Sequence, residues 1–148
     1  MKSPALFIDR DGTIIKQIDG EYISSINQIE FIETIFPAIL MLQNEGYLVI
    51  MVTNQAGINK GILSHEQVDE INQHIIQSLK RHGIEISGAY VCPHKTEEKC
   101  KCRKPEPGLL LKAAEEHDID LKNSVIIGDS EKDTKAGLNA GLRKVIKI

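Results

Sequence analysis

Two carboxylates one residue apart, Asp9 and Asp11, stand where the apolar run Ala5–Ile8 stops. That run reads as a buried strand of a parallel sheet. A buried strand gains nothing in packing from ending on acids, because an unpaired charge taken out of water is costly. In an extended chain, residues two apart point the same way. Asp9 and Asp11 are therefore expected to begin one acidic site, suited to a hard cation such as Mg²⁺. A softer set lies further on, where Cys92-Pro93-His94 is followed by Cys100-Lys101-Cys102. Three thiolates and one imidazole make a closed tetrahedral zinc set with no open position, so the expected role of that Zn²⁺ is structural. The intervening Lys95–Lys99 is too polar to fold by burying itself, and a metal would order the loop 92–102 in place of a core. The rival reading is a run of reduced surface thiols. A catalytic cysteine is less favoured, since a zinc set already employs His94.

Two further segments end predicted strands in polar residues: Thr53-Asn54-Gln55, and Gly128-Asp129 with Asp133 four positions later. A fourth contribution, Cys102-Arg103-Lys104-Pro105, enters from a loop before a helix. Each has a bland reading alone: a surface acid pair, a turn, a helix start, a solvated lysine. In an open parallel α/β sheet, however, ligands bind beyond the carboxyl ends of the strands, so these distant segments can converge.

The elements that must position them alternate. Strands are expected at Ala5–Ile8, Tyr47–Val52, Ala89–Cys92, Val125–Ile127 and Lys144–Ile148. Thr34 can cap a helix that Gly46 ends. Ser64 with Gln67 resembles a capping box ahead of the stripe Val68, Ile71, Ile75 and Leu79, closed by Gly83. Gly108–His117 reads as a helix, and Ser130 opens another that Gly141 closes. Strands alternating with helices predict an α/β fold, a three-layer αβα sandwich with a Rossmann-like parallel sheet and a minimal cap. The segment Ile14–Ser25 is expected to be a small flap over the site, with Lys16, Asp19 and Glu21 either touching a ligand there or only keeping the flap soluble. His65, His74, His82 and His117 fall on helix patterns and read as surface residues.

The bulk numbers fit one domain spanning 1–148. Apolar residues make up 41% of the 148 and charged residues 26%, as in ordinary globular proteins. A net charge of −3 and 4% aromatic content argue against a nucleic-acid partner. No apolar stretch reaches the length of a membrane span, and Met1-Lys2-Ser3-Pro4 runs straight into a strand, so the expectation is a cytoplasmic monomer.

Taken in order, the four polar segments resemble the haloacid dehalogenase superfamily of aspartate-nucleophile phosphatases across nearly the whole chain. That resemblance implies roles. Asp9 attacks phosphorus and becomes an aspartyl phosphate. Asp11 protonates the leaving alkoxide and later takes a proton from water. Thr53 and Lys104 hold phosphoryl oxygens, and beside that implied pair Asn54 reads from its chemistry as a further neutral donor to the phosphate. Asp9, the backbone carbonyl of Asp11, and Asp129 bind Mg²⁺, with Asp133 supporting them from behind. Cys-Pro-His with Cys-x-Cys-Arg-Lys-Pro narrows the resemblance to the branch holding D-glycero-D-manno-heptose 1,7-bisphosphate 7-phosphatases and histidinol-phosphate phosphatases. Thr53–Ile58, Gly61 and Arg103–Gly108 resemble the heptose enzymes more; the short His94–Cys100 spacing resembles the histidinol enzymes more. Relatives often carry a basic residue after the fourth-segment aspartate, where this chain has Ser130. The implied substrate is a small phosphorylated metabolite, a heptose bisphosphate first and histidinol phosphate second, with Arg103 as the best contact because a guanidinium binds oxygen pairs bidentately. Two other classes compete: a receiver-like domain phosphorylated once on aspartate, whose acids lie on different strands, and a zinc-dependent nucleic-acid module.

Overall fold

The structure, a computed structural model, describes residues 2–148; Met1, with which the segment Met1–Pro4 begins, lies outside them. Five strands form one parallel sheet: β1 (Ala5–Asp9), β2 (Leu48–Asn54), β3 (Ile86–Cys92), β4 (Val125–Gly128) and β5 (Lys144–Lys147), in the order β3-β2-β1-β4-β5. Four helices cover it: α1 (Phe36–Asn44), α2 (His65–Lys80), α3 (Gly108–His117) and α4 (Glu131–Ala140).

The two layers follow from the period of the strands. Leu6 and Ile8 of β1 pack with Ile39 of α1 and Ile71, Ile75 and Leu79 of α2. Ala5 and Phe7 face the other way, against Leu109, Leu110 and Ala113 of α3. A strand covered on both faces must be apolar throughout, which is why β1 reads as an unbroken run. Truncating a fully buried contact such as Ile75 to alanine would cost about 2–5 kcal/mol. The expected αβα sandwich is therefore what the chain forms.

Strand order reverses at β1: β2 and β3 extend to one side, β4 and β5 to the other. The crevice beyond the carboxyl ends of β1 and β4 is the place such sheets bind ligands. Register brings the right residues there. Ile8 sits beside Met51 on one side and Ile127 on the other, so Asp9, Thr53 and Asp129 emerge at nearly one level.

Some expected boundaries move. β2 runs on to Asn54, and β3 begins at Ile86, before Gly88. Thr34 does not cap α1; a short 3₁₀ turn Glu33–Ile35 leads in, and the helix starts at Phe36 with Pro37 in its first turn. Proline there has its φ already set and sacrifices no helical hydrogen bond. The capping box of α2 is present: Gln67 N donates to Ser64 Oγ (3.0 Å) and Ser64 N to Gln67 Oε1 (2.8 Å). The flap is smaller than expected, because Ile14 and Ile15 are fully buried in the core.

Candidate active site

Lys104 is the centre of the arrangement. Its Nζ donates to Asp9 Oδ1 at 2.7 Å, to Asp133 Oδ1 at 2.6 Å and to the Val52 carbonyl at 3.2 Å, and its side chain is only 3% exposed. A lysine so deep is tolerated because its charge is paired and every ammonium hydrogen has an acceptor. Burial works against that charge, but Asp9 and Asp133 outweigh it and hold the Lys104 pKa above its usual value. Asp133 is itself held: Ser130 N and Ser130 Oγ donate to its Oδ2 at the start of α4. Gly128 makes room for this, since a Cβ there would lie 2.3 Å from the Asp133 carboxyl.

Asp129 completes the acidic group. Ligand oxygens of Asp9, Asp129 and Asp133 lie within 4.8 Å of one another. Gly12, at φ +88°, is forced by this packing as well as by its turn, because a Cβ would stand 2.0 Å from Asp129 Oδ2. One ammonium among three carboxylates, two of them buried and one half-buried, leaves surplus negative charge. Burial pushes the Asp9 pKa up to about 7; Lys104 opposes the shift and Asp133 adds to it. A hard divalent cation would relieve that surplus, so the donor set fits Mg²⁺. Asp9 and Asp129 are the oxygens free to hold it, because both Asp133 oxygens are already engaged.

Asp11 is separated from this group. β1 ends at Asp9, and the chain then turns, with Thr13, Ile14 and Ile15 amides donating to the Arg10 carbonyl. Strand alternation stops there, so the two carboxylates do not point the same way as expected: that of Asp9 joins Asp129 and Asp133, and that of Asp11 does not. Arg10 grips that carboxylate with Nε at 3.0 Å and Nη2 at 3.1 Å, and Gln55 Nε2 donates to it at 2.7 Å. Arg10 is fully buried, and its remaining arm, Nη1, donates to Asn72 Oδ1 at 3.0 Å. Asp11 still lines the same cavity as Asp9. Sequence reasoning missed Arg10, Gln55 and Asn72 as site residues; Gln55 alone carried a signal, as the third residue of a polar strand end.

Thr53 is buried, lines the cavity, and accepts from Gln55 Nε2 at 2.9 Å. Asn54 lines it too, but its amide is spent on the lysine loop: Nδ2 donates to the Lys104 carbonyl (3.2 Å) and Lys104 N donates to Oδ1 (3.1 Å). Its visible work is thus to position Lys104. The cavity holds about 500 Å³ and is rimmed by Arg103, Lys60, Lys132 and the flap residues Gln17 to Ile23, except Asp19. Glu21 is on this rim, whereas Lys16 pairs with Glu30 at 2.8 Å away from it. Lys60 reaches Tyr22 Oη at 3.2 Å and so ties the flap to the loop after β2.

The sulfur–nitrogen set gathers as expected. Cys92 Sγ lies 3.6 Å from Cys100 Sγ and 3.4 Å from His94 Nδ1; Cys102 Sγ lies 3.7 Å from Cys100 Sγ and 3.2 Å from His94 Nδ1. Tetrahedral arms of about 2.0–2.3 Å give ligand separations of this size. The set adjoins the active site directly: Arg103 N donates to Cys100 Sγ (3.3 Å), and Arg103 Nη1 to the His94 carbonyl (3.4 Å).

Comparison with known proteins shows the family to which the chain is related. Residues 101–146 match a family profile described as HAD-hydrolase-like. The D-glycero-beta-D-manno-heptose-1,7-bisphosphate 7-phosphatase of Helicobacter pylori is 44% identical over 140 residues, covering 94% of this chain and 80% of that protein. A Campylobacter jejuni relative, named for the alpha anomer, is 40% identical over all of this chain and 84% of its own length. The crystal structure of D,D-heptose 1,7-bisphosphate phosphatase from B. bronchiseptica, complexed with magnesium and phosphate, superposes with a TM-score of 0.87 at 27% identity, covering 97% of this chain and 79% of that one. The chain is a phosphatase of the HAD-like hydrolases and belongs to the family that holds these heptose-1,7-bisphosphate 7-phosphatases.

Proposed function

We propose that this chain removes the 7-phosphate of a D-glycero-D-manno-heptose 1,7-bisphosphate through a phosphoryl group carried on Asp9. The observation that carries the reading is Asp9 itself, a buried carboxylate at a strand end, held by Lys104 at 2.7 Å beside Asp129 and opening on a 500 Å³ cavity. In the first half-reaction an Asp9 oxygen bonds to phosphorus, and the sugar oxygen leaves with a proton from Asp11. In the second, water attacks phosphorus, Asp11 takes its proton, and Asp9 departs as a carboxylate. Thr53 and Lys104 meet the phosphoryl oxygens, Lys104 by exchanging its long bond to the Val52 carbonyl for the phosphate; Lys104 also fixes which Asp9 oxygen is free. Bound Mg²⁺, held by Asp9, Asp129 and the Asp11 carbonyl, supplies the positive charge that lets an anionic nucleophile approach a phosphate. Cys92, His94, Cys100 and Cys102 would hold Zn²⁺ and set the loop that delivers Arg103 to the substrate.

The whole of 1–148 acts in this reading as one hydrolase domain, a cytoplasmic monomer with a small metabolite as its only partner. Among the described residues no helix is long and apolar enough to cross a membrane. The test is phosphate release with Mg²⁺ from both anomers of the heptose bisphosphate and from histidinol phosphate. We expect repeated turnover of a heptose bisphosphate, faster than histidinol phosphate, and none from Asp9→Asn. Preference for histidinol phosphate would reassign the substrate, and single labelling without turnover would end the hydrolase reading.

A further inference from the structure

Gln55 has no role in the reaction as derived so far, yet it sits at its centre. Its side chain is fully buried, and one atom, Nε2, donates both to Asp11 Oδ2 at 2.7 Å and to Thr53 Oγ1 at 2.9 Å. Its other end, Oε1, is buried with no hydrogen-bond partner among the described residues. Packing alone does not explain such a residue, since a buried orphan acceptor destabilises the fold.

From this geometry we infer that Gln55 is a positioning residue, coupling the acid–base carboxylate of Asp11 to the phosphate-binding hydroxyl of Thr53. An amide NH₂ has two hydrogens and no acceptor capacity, so the polarity of both bonds is fixed. Asp11 must accept. Thr53 Oγ1 must accept as well, which leaves the Thr53 hydroxyl hydrogen to point into the cavity, where a phosphoryl oxygen can receive it. A reversed amide would put Oε1 against the Asp11 carboxylate. Asp11 therefore sets the orientation of Gln55, and Gln55 sets the direction of the Thr53 hydroxyl. The backbone that carries this side chain is held in place, because the main-chain N–H of Gln55 donates to the Cys92 carbonyl at 2.8 Å. A rigid support of this kind is what a proton-transfer site needs.

The inference rests on the phosphatase reading above, and the experiment separates the two. Gln55→Met keeps the length and removes both donors. It is assayed, with the wild type, on a heptose bisphosphate and on p-nitrophenyl phosphate, whose leaving group departs as a stable phenolate without needing a proton. General acid catalysis contributes about a hundredfold or more, so loss of Asp11 alignment should cost the sugar ester at least about tenfold more than the aryl ester in kcat/KM, which reports the first half-reaction and not the hydrolysis of the phosphoryl group that both esters share. The thermal midpoint should hold or rise, because the orphan Oε1 is gone. Equal losses on the two esters, or no loss, would overturn the inference while leaving the phosphatase reading standing. A wild type that turns over neither ester takes down both. Should Gln55→Met not fold, Gln55→Glu decides: its activity relative to wild type should fall as pH rises and the new carboxyl loses the proton it donates, and a flat ratio would overturn the coupling.

Discussion

Lys104 Nζ stands 2.7 Å from Asp9 Oδ1, and both side chains are nearly sealed from solvent. The same ammonium holds Asp133 at 2.6 Å, so one cation bridges two carboxylates that would otherwise face each other in the interior. Removing one partner of a buried pair is costly, about 3–5 kcal/mol, because it strands the other. Lys104→Met should therefore abolish turnover and lower stability by that order. Adding Asp133→Asn should recover part of the stability and none of the activity. Urea unfolding of the three proteins checks this; a Lys104→Met variant as stable as wild type would mean the ammonium is not what holds the acids.

The raised Asp9 pKa makes a prediction about pH. Burial lifts its carboxyl to about 7, with Lys104 opposing and Asp133 adding. The folded state thus binds the proton more tightly than the unfolded chain, where a carboxyl titrates near about 4. The stabilisation from a protonated Asp9 is complete below that lower value and disappears as pH rises through about 7. Without Mg²⁺, and with the zinc loop left loaded, the thermal midpoint should fall between about pH 5 and pH 8. Asp9→Asn should flatten that slope, and saturating Mg²⁺ should do the same in the wild type. Melts followed by circular dichroism across this range decide it, and a slope identical in Asp9→Asn would assign the effect to another group.

Much of this site was legible because strand ends leave a strong signal. A buried run such as Ala5–Ile8 that breaks into acids cannot be explained by packing, and three such breaks in a parallel sheet converge by topology. The Cys92–Cys102 loop was legible for a similar reason: its residues have few other uses. The Arg10–Asn72 contact was not legible. It joins residues 62 apart, and a helix stripe gives no hint that one of its polar members faces a buried guanidinium. Asn54 looked like a phosphate ligand because its neighbour Thr53 does; only the cross-loop bonds to Lys104 show where its amide goes. The helix start near Thr34 misled because a plausible cap was outvoted by Pro37, whose fixed φ suits the first turn.

Arg10 supplies a third test. Its fork matches the Asp11 carboxylate with two parallel donors while a further nitrogen holds Asn72. Lysine keeps the charge but offers no planar fork, so the exchange is not conservative at a bidentate site. Arg10→Lys should leave Asp11 free to turn and cost on the order of a hundredfold in kcat, the scale of a misplacement near 1 Å. KM should move far less. Steady-state kinetics on the sugar ester measures both, and an unchanged kcat would show that Asp11 needs no support from this side.

The metal loop gives the last test, and it reaches beyond the loop. Arg103 is tied to it twice, through its amide to Cys100 Sγ and through its guanidinium to the His94 carbonyl, and the next residue is Lys104. A structural zinc of this type supplies folding energy to a segment that has no core of its own. The purified chain should carry about one zinc, the stoichiometry of a single four-ligand site, and Cys100→Ser should lose it. Lys95, Lys99 and Lys101 then become trypsin sites in an unfastened loop, so cleavage there should accelerate in the variant while the sheet core stays intact. With Arg103 no longer held, KM for the sugar ester should rise, and kcat should fall to the extent that Lys104 shifts with it. Metal analysis, limited proteolysis and kinetics on one preparation connect these outcomes. A folded, zinc-free wild type whose loop resists trypsin as well as the loaded form would show that the four residues order the loop without a metal.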